Sequence, residues 1–351
     1  MKSRYETGFK KTPIQKEMEA ADMAGIREVA KLAGVSPSTV SRVMNGTAKV
    51  DEEKKQRVLA AISETGFKPN ELARALFKKS SKIIGVIVPN IENPFFNELA
   101  RSIEEEAYQN GFRMLLCSSD DNTEKELMNI QILTQMNADG IIIMTNSDKT
   151  GKAVAECSIP VVLVDRKISG GNEIAFIESD HYKGGKIAAE HLIQCGCKNI
   201  VCMKGPVEFS SGENRYKGYL DACRQYGIPE QSINCTYDYE AGLTAAKELL
   251  EKYPDVDGII ACNDMAAIST YKVLTEAGYK VPDDIQLIGF DNINFSRMFT
   301  PELTTVAQPI TNIGTLAVQI ILRHGEGMPF QKENILDVKL ISRQTTKKRS
   351  K

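Results

Sequence analysis

Acids, amides, arginines and aromatic residues recur just past short apolar runs. Asn93, Phe95 and Phe96 follow Ile83–Val88, and Asp165 with Arg166 follows Val161–Val164. Arg215 lies beyond Ile200–Met203 at an expected helix start, and Tyr237 follows Ile233–Thr236. Asn263 and Asp264 follow Gly258–Cys262, Asp291 follows the run Ile285–Phe290, and Gln308 follows Thr304–Ala307. This mixture suits a sugar. Aromatic faces pack on the C–H faces of the ring, while carboxylates, amides and guanidinium groups saturate hydroxyls that donate and accept at once. A phosphorylated ligand calls for a glycine-rich loop, and neither G-x-x-x-x-G-K nor G-x-G-x-x-G occurs. Asp264 reads as a helix cap rather than a ligand.

A second constellation lies near the N-terminus. Ile26, Val29, Ala30 and Ala33 repeat at helical spacing, Gly34 breaks the pattern, and Ser36 with Pro37 can open a second helix. Counted from Ile26, Ala30 is fifth, Gly34 ninth and Val40 fifteenth. A small residue lets two helices touch, a glycine permits the tight turn, and a β-branched residue fills the crossing. That is the arithmetic of a helix-turn-helix, whose second helix enters the major groove of DNA. The residues it offers are Pro37, Ser38, Thr39, Ser41, Arg42 and Asn45, with short hydroxyls for phosphates and Arg42 for guanine. Asp51 can cap a third helix with an apolar face of Val58, Leu59 and Ile62, ended by Gly66.

The elements that must hold the first constellation differ in rhythm. From residue 83, apolar runs of four to seven residues alternate with amphipathic helical stretches, the pattern of parallel strands buried on both faces. The number of runs over this length implies two sheets. Ala138-Asp139-Gly140-Ile141-Ile142 is echoed by Val256-Asp257-Gly258-Ile259-Ile260, so the two sheets are expected to be repeated lobes. In such sheets ligands bind at the carboxyl ends of strands, where the acids and amides stand.

The chain has 351 residues and a net charge of −2, distributed unevenly. Residues 1–82 carry +7 and residues 83–351 carry −9, so only the head is suited to phosphate. No run is long enough to span a membrane and no apolar signal core opens the chain, so a cytoplasmic protein is expected. The eight cysteines are scattered without a C-x-x-C pair and read as reduced core thiols. His181, His191 and His324 are isolated, the first two in stretches that read as solvated, and no metal is expected. No H-E-x-x-H or G-x-S-x-G occurs, so neither an enzyme nor a cofactor is expected.

Ile26-Arg27-Glu28-Val29-Ala30-Lys31-Leu32-Ala33-Gly34-Val35-Ser36, then Thr39-Val40-Ser41-Arg42-Val43-Met44-Asn45, closely resembles the head of the LacI/GalR repressor family. Arg57-Val58-Leu59 and Gly66-Phe67-Lys68-Pro69-Asn70 extend the likeness. The resemblance implies a hinge helix over residues 70–79 that folds on operator DNA, with Leu76 wedged into the minor groove. The core resembles periplasmic sugar-binding proteins, and among them the ribose-binding members. The matched pattern is Asn93-Pro94-Phe95-Phe96, Asp165-Arg166, Arg215, Asn263-Asp264, Phe290-Asp291 and Gln308, with Tyr237 in place of a phenylalanine.

The expected fold is therefore an all-α helix-turn-helix DNA-binding head plus an α/β periplasmic-binding-protein-like core of two doubly wound parallel-sheet lobes. Expected boundaries are an extension or mis-called start over 1–22, the head over 23–69, hinge and linker over 70–82, the core over 83–346 and a basic tail over 347–351. The resemblance implies a homodimeric repressor of a ribose operon, released from double-stranded operator DNA by the sugar. A different pentose or hexose, or a phosphorylated carrier-protein corepressor, is left open.

Overall fold

The first helices form because their apolar residues fall on one stripe and their ends are capped. In the computed structural model the described residues are 25–45, 50–67, 80–145, 147, 149–168, 173–206 and 208–348. Two compact units divide between Ser81 and Lys82.

In the first unit, helix α1 covers residues 25–33, α2 Pro37–Asn45 and α3 Glu52–Thr65. Gly34 turns between α1 and α2 at φ +65°, in the left-handed region that favours glycine. Ser36 Oγ accepts from Thr39 N at 3.2 Å, and Asp51 Oδ1 accepts from Lys54 N, also at 3.2 Å. Gly66 closes α3 at φ +61°. Val29, Ala30, Ala33, Val40, Val58 and Ala61 form a small buried core. Leu59 departs from expectation and is 46% exposed. The buried stripe of α3 runs through Val58, Ala61 and Ile62, and Leu59 lies one residue round the helix from it.

The second unit holds two six-stranded sheets. The first comprises β1 (Ile83–Val88), β2 (Arg113–Ser118), β3 (Gly140–Ile143), β4 (Val161–Val164), β5 (Ala175–Ser179) and β11 (Glu333–Leu336), in the order β2-β1-β3-β4-β5-β11. The second comprises β6 (Ile200–Lys204), β7 (Gln231–Asn234), β8 (Gly258–Ile260), β9 (Gln286–Asp291), β10 (Thr304–Ala307) and β12 (Lys339–Ile341), in the equivalent order β7-β6-β8-β9-β10-β12. All pairings are parallel except β10 with β12. Strands β3 and β4 are buried at every residue, as a sheet covered on both faces requires.

Helices α4 (Pro94–Gln109), α5 (Thr123–Gln135), α6 (Thr150–Glu156) and α12 (Ile310–Gly325) belong to lobe one. Helices α7 (His181–Gln194), α8 (Ser210–Tyr226), α9 (Tyr239–Lys252), α10 (Asp264–Glu276) and α11 (Phe295–Met298) belong to lobe two. The chain crosses between lobes after Ser179, after Ala307 and after Leu336.

The internal echo falls on equivalent strands. Gly140 opens β3 and Gly258 opens β8, each third from its sheet edge. The aspartate before each glycine pins the start of the neighbouring strand. Asp139 accepts from Lys82 N at 2.8 Å, and Asp257 accepts from Lys198 N and Asn199 N at 2.8 and 2.9 Å.

Two glycines let α7 and α8 touch backbone to backbone. A Cβ on Gly185 would lie 1.9 Å from Arg215 O, and one on Gly218 would lie 2.0 Å from Tyr182 O. No side chain fits at either position. This crossing sets the first residue of α7 against the middle of α8, and so builds one wall of the interlobe site.

Candidate functional site

Asn93, Phe95, Phe96, Asp165, Arg166, Arg215, Tyr237, Asn263, Asp291 and Gln308 all line one narrow space between the lobes, together with Ser211. The space, about 20 Å³, adjoins a larger cleft of about 590 Å³ that shares Asn93, Phe96, Arg166 and Tyr237 as walls.

Lobe one supplies a rim and a charged pair. Asn93 caps α4, accepting from Phe95 N at 3.0 Å. Proline at the first turn is free of the missing N–H penalty there. The Phe95 and Phe96 rings meet edge to face at 5.3 Å, both buried. Asp165 leaves β4 in a left-handed conformation, φ +71°, which turns its carboxylate and the following Arg166 into the cleft. Lobe two supplies Ser211 and Arg215 from α8, Tyr237 beyond β7, Asn263 at the cap of α10, Asp291 at the end of β9 and Gln308 at a crossover. Asn263 both caps its helix, accepting from Ala266 N, and donates to Tyr237 O at 2.9 Å. Asp264 is not the cap expected of it. Its buried carboxylate accepts from Ile293 N and Thr305 Oγ1, tying α10 to β10 and the segment after β9.

The charges alternate across the cleft. Arg166 Nε lies 3.3 Å from Asp165 Oδ2, and its guanidinium stands 4.0 Å over the Phe209 ring of lobe two. Arg215 donates to Cys262 O at 2.6 Å, approaches Asp291 Oδ1 at 3.6 Å and covers the Phe290 ring at 3.7 Å. Gln308 donates to Asp291 Oδ1 at 2.7 Å. Burial would lift the Asp165 pKa, but the close approach of His181 and the charges of Arg166 and Arg215 outweigh it and hold the carboxyl well below the usual range. Burial raises Asp291, reinforced by the charge of Asp165 and only partly offset by Arg215 and Gln308. One carboxyl from each lobe is thus tuned in the opposite direction. Several buried polar atoms here lack a hydrogen-bond partner among the described residues: Arg166 Nε and Nη1, Tyr237 Oη and Gln308 Oε1. Such groups are costly unless something bonds them.

His181 and Ser211 were missed by sequence reasoning. His181 is fully packed away rather than solvated. Its Nδ1 accepts from Arg215 Nε at 3.3 Å, and its Nε2 lies 3.4 Å from Asp165 Oδ1. His191 is also buried and bonds Thr346 Oγ1 at 2.9 Å. The polar run Ser179-Asp180-His181-Tyr182-Lys183 hides this. Burial at His181 comes from the lobe crossover and from the α7–α8 contact, which no local pattern reveals. Ser211 is the second of two adjacent serines at a helix start, where serine is common, and carries no signal of its own.

Residues 81–335 match the family described as periplasmic binding proteins and sugar binding domain of LacI family. Residues 25–70 match bacterial regulatory proteins, lacI family. The chain belongs to the LacI family. A ribose operon repressor of Halalkalibacterium halodurans is 36% identical, over 93% of this chain and 98% of that one. A LacI-family regulator from Alkaliphilus metalliredigens, solved with D-xylulofuranose, is 35% identical over 76% of this chain and all of that one, with a TM-score of 0.70. One from Enterococcus faecium with bound ribose is 31% identical, covering 75% and 98%, with a TM-score of 0.67. The lac repressor dimer bound to operator and an anti-inducer is 26% identical, covering 90% and 97%, with a TM-score of 0.82. This LacI-family chain is a sugar-responsive DNA-binding repressor and not an enzyme.

In the LacI-family head, Pro37, Ser38 and Arg42 of α2 are exposed, and Thr39 and Ser41 are half-buried. Ser38 Oγ and Thr39 Oγ1 lie 2.8 and 2.9 Å from Ser36 Oγ, a knot of hydroxyls at the helix start. Asn45 is the last residue of α2. Leu76 lies outside the described residues. Among those residues no helix is long and apolar enough to cross a membrane.

The one departure from the ribose-binding pattern has a local accommodation. Tyr237 Oη sits against two glycines: a Cβ on Gly205 would lie 2.6 Å from it and one on Gly212 2.9 Å. The extra oxygen occupies space that those absent side chains leave.

Proposed function

We propose that ribose is the effector of this repressor and that its binding between the lobes releases operator DNA. The observation that carries this reading is the alternation across the cleft. Asp165 and Arg166 from lobe one face Arg215, Asp291 and Gln308 from lobe two. A small ring rich in hydroxyls would bond both sets at once, so its binding would favour closed lobes over open ones. Asn93, Asn263 and Ser211 would complete the polar set, and Phe95, Phe96 and Tyr237 would hold the ring faces.

Operator binding belongs, on this reading, to a homodimer acting in the cytoplasm, each head (residues 23–69) placing Pro37, Ser38, Thr39, Ser41, Arg42 and Asn45 at the major groove. Residues 70–82 are the hinge, with Leu76 at the minor groove, and residues 83–346 the core. Sugar and operator must oppose each other by the same factor.

A pentulose in its furanose form is the second reading, favoured by the similarity to the regulator solved with D-xylulofuranose. Titration of the purified protein with ribose, xylulose and a panel of other pentoses and hexoses separates the two. Operator titration with and without the best ligand then tests release. If the purified protein alone binds operator and lets go with ribose, no phosphorylated carrier-protein corepressor is required. Operator affinity that ignores every sugar in the panel would sink the proposal.

A further inference from the structure

We infer that His181 is a positioning residue of the sugar site, a neutral imidazole that holds its proton on Nε2 and aligns Arg215 and Asp165, one from each lobe. The inference rests on the reading of the cleft as a sugar site.

The placement comes from the fold. His181 is the first residue of α7, directly after the first lobe crossover, and the glycine contacts at Gly185 and Gly218 press α7 onto α8. The imidazole is buried from all sides. Asp165 and Arg166 face it from the end of β4 and Arg215 from α8. Strand β9 adds the uncharged Phe290 ring, 6.0 Å away and tilted by 35°.

The tautomer follows from the partners. Arg215 has no acceptor atom, so its Nε–H donates and His181 Nδ1 must accept. An imidazole that accepts at Nδ1 carries its one proton on Nε2. That nitrogen is the atom 3.4 Å from Asp165 Oδ1, a long polar contact to the carboxylate. A doubly protonated ring would set an N–H against the Arg215 N–H, so the geometry itself excludes the cation. Burial presses His181 toward the neutral form, against the pull of Asp165 and with the help of the charges of Arg215 and Arg166.

His181 therefore does for Arg215 and Asp165 what neither could do for the other. It fixes a guanidinium by accepting from it and a carboxylate by donating to it. Asp165 and Arg215 would meet the sugar, and His181 would set their angles from behind.

Nitrogen-15 NMR of histidine-labelled full-length protein reads the tautomer directly, with His181→Asn assigning the signal among three histidines. A neutral ring protonated at Nε2 at pH 7 is expected. A neutral ring protonated at Nδ1, or an imidazolium, overturns the inference whether or not ribose is the right sugar. Calorimetric titration with D-ribose gives the second readout. His181→Phe keeps ring packing but neither bond, and its affinity should fall about tenfold or more. His181→Asn keeps an acceptor for Arg215 and should recover part of the loss. A phenylalanine variant that folds, as judged by its thermal transition, and binds ribose within about threefold of the parent overturns the positioning role. If the parent itself binds no sugar, the functional reading fails and the tautomer still decides the inference.

Discussion

Asp165 and Asp291 occupy the same place in two repeated lobes. Each stands at the carboxyl end of the fourth strand of its sheet, counting β2-β1-β3-β4 and β7-β6-β8-β9. Each also adopts a backbone that side-chain-bearing residues avoid, φ +71° and φ +111°. Strain of this kind gathers where a side chain must be aimed. The repeat puts one carboxyl on either side of the cleft, and Arg215 reaches toward both.

Asp165→Asn should leave a repressor that binds operator and ignores ribose at ordinary concentrations. Asparagine tolerates the left-handed backbone, so the loss is chemical rather than conformational. A charge-assisted bond worth roughly 1.5–3 kcal/mol disappears. Ribose affinity should drop by about tenfold to a hundredfold, with operator affinity in the absence of sugar nearly unchanged. Operator titration of parent and variant, each with a ribose series, checks it; release at the parent's midpoint would falsify the assignment of Asp165.

Tyr237→Phe should keep or improve both ribose affinity and stability. The hydroxyl it removes is buried without a partner among the described residues, and an unmet buried hydroxyl costs about 1–3 kcal/mol. Its slot at Gly205 and Gly212 would merely empty. A calorimetric ribose titration and a melting curve test this together; a tenfold weaker affinity would mean that the hydroxyl reaches the sugar.

Gly185→Ala should destabilise the core and weaken ribose binding at once. The new methyl meets a backbone oxygen, Arg215 O, which cannot swing aside like a side-chain tip. Overpacking costs about 1–3 kcal/mol, and in a unit of this size each kcal/mol is about 2–4 °C of melting temperature. Gly325→Ala makes the contrast, since nothing lies within 4 Å of its added carbon. Equal melting temperatures for the two variants would count against the α7–α8 contact.

Glu178→Gln should raise stability at alkaline pH and leave it unchanged in acid. Burial, helped by the charge of Asp165, lifts the Glu178 carboxyl to about 7 from an ordinary 4.5, against the pull of Lys167. A raised folded value means that the protonated form suits the fold. Its contribution is complete below 4.5 and is lost as pH rises through about 7. The variant lacks that titration, so its advantage in melting temperature should open between pH 4.5 and pH 7. A constant gap across that window would refute the assignment.

Much of the site was legible because its chemistry sits at strand ends, and strand ends follow apolar runs in the sequence. Asp165 after Val161–Val164 and Asp291 closing the run from Ile285 are local facts. His181 was not legible, since its burial is made by two helices meeting at Gly185 and Gly218. Asp264 was misread as a cap because an acid at a helix start looks alike whether it bonds its own helix or a distant strand. Strands β11 and β12 escaped notice because they are three- and four-residue edges, half exposed, without an apolar run. Leu59 shows the converse error, an apolar residue assigned inward that one helical step carries out to solvent.

The order of the lobes along the chain also sets an order of completion during synthesis. Lobe one begins at Ile83 but lacks α12 and β11 until lobe two, apart from its edge strand β12, has been made. Ser102 Oγ finds Thr311 O 209 residues later, and Gly314 packs directly on Ser102. A nascent chain must therefore leave the apolar face of α4 uncovered on the ribosome while lobe two closes. Contacts so distant in sequence form slowly, and exposed apolar faces in partly made domains invite aggregation. Chaperone dependence in this protein should then concentrate on residues 83–179, the part that is made first and waits longest for its covering helix α12.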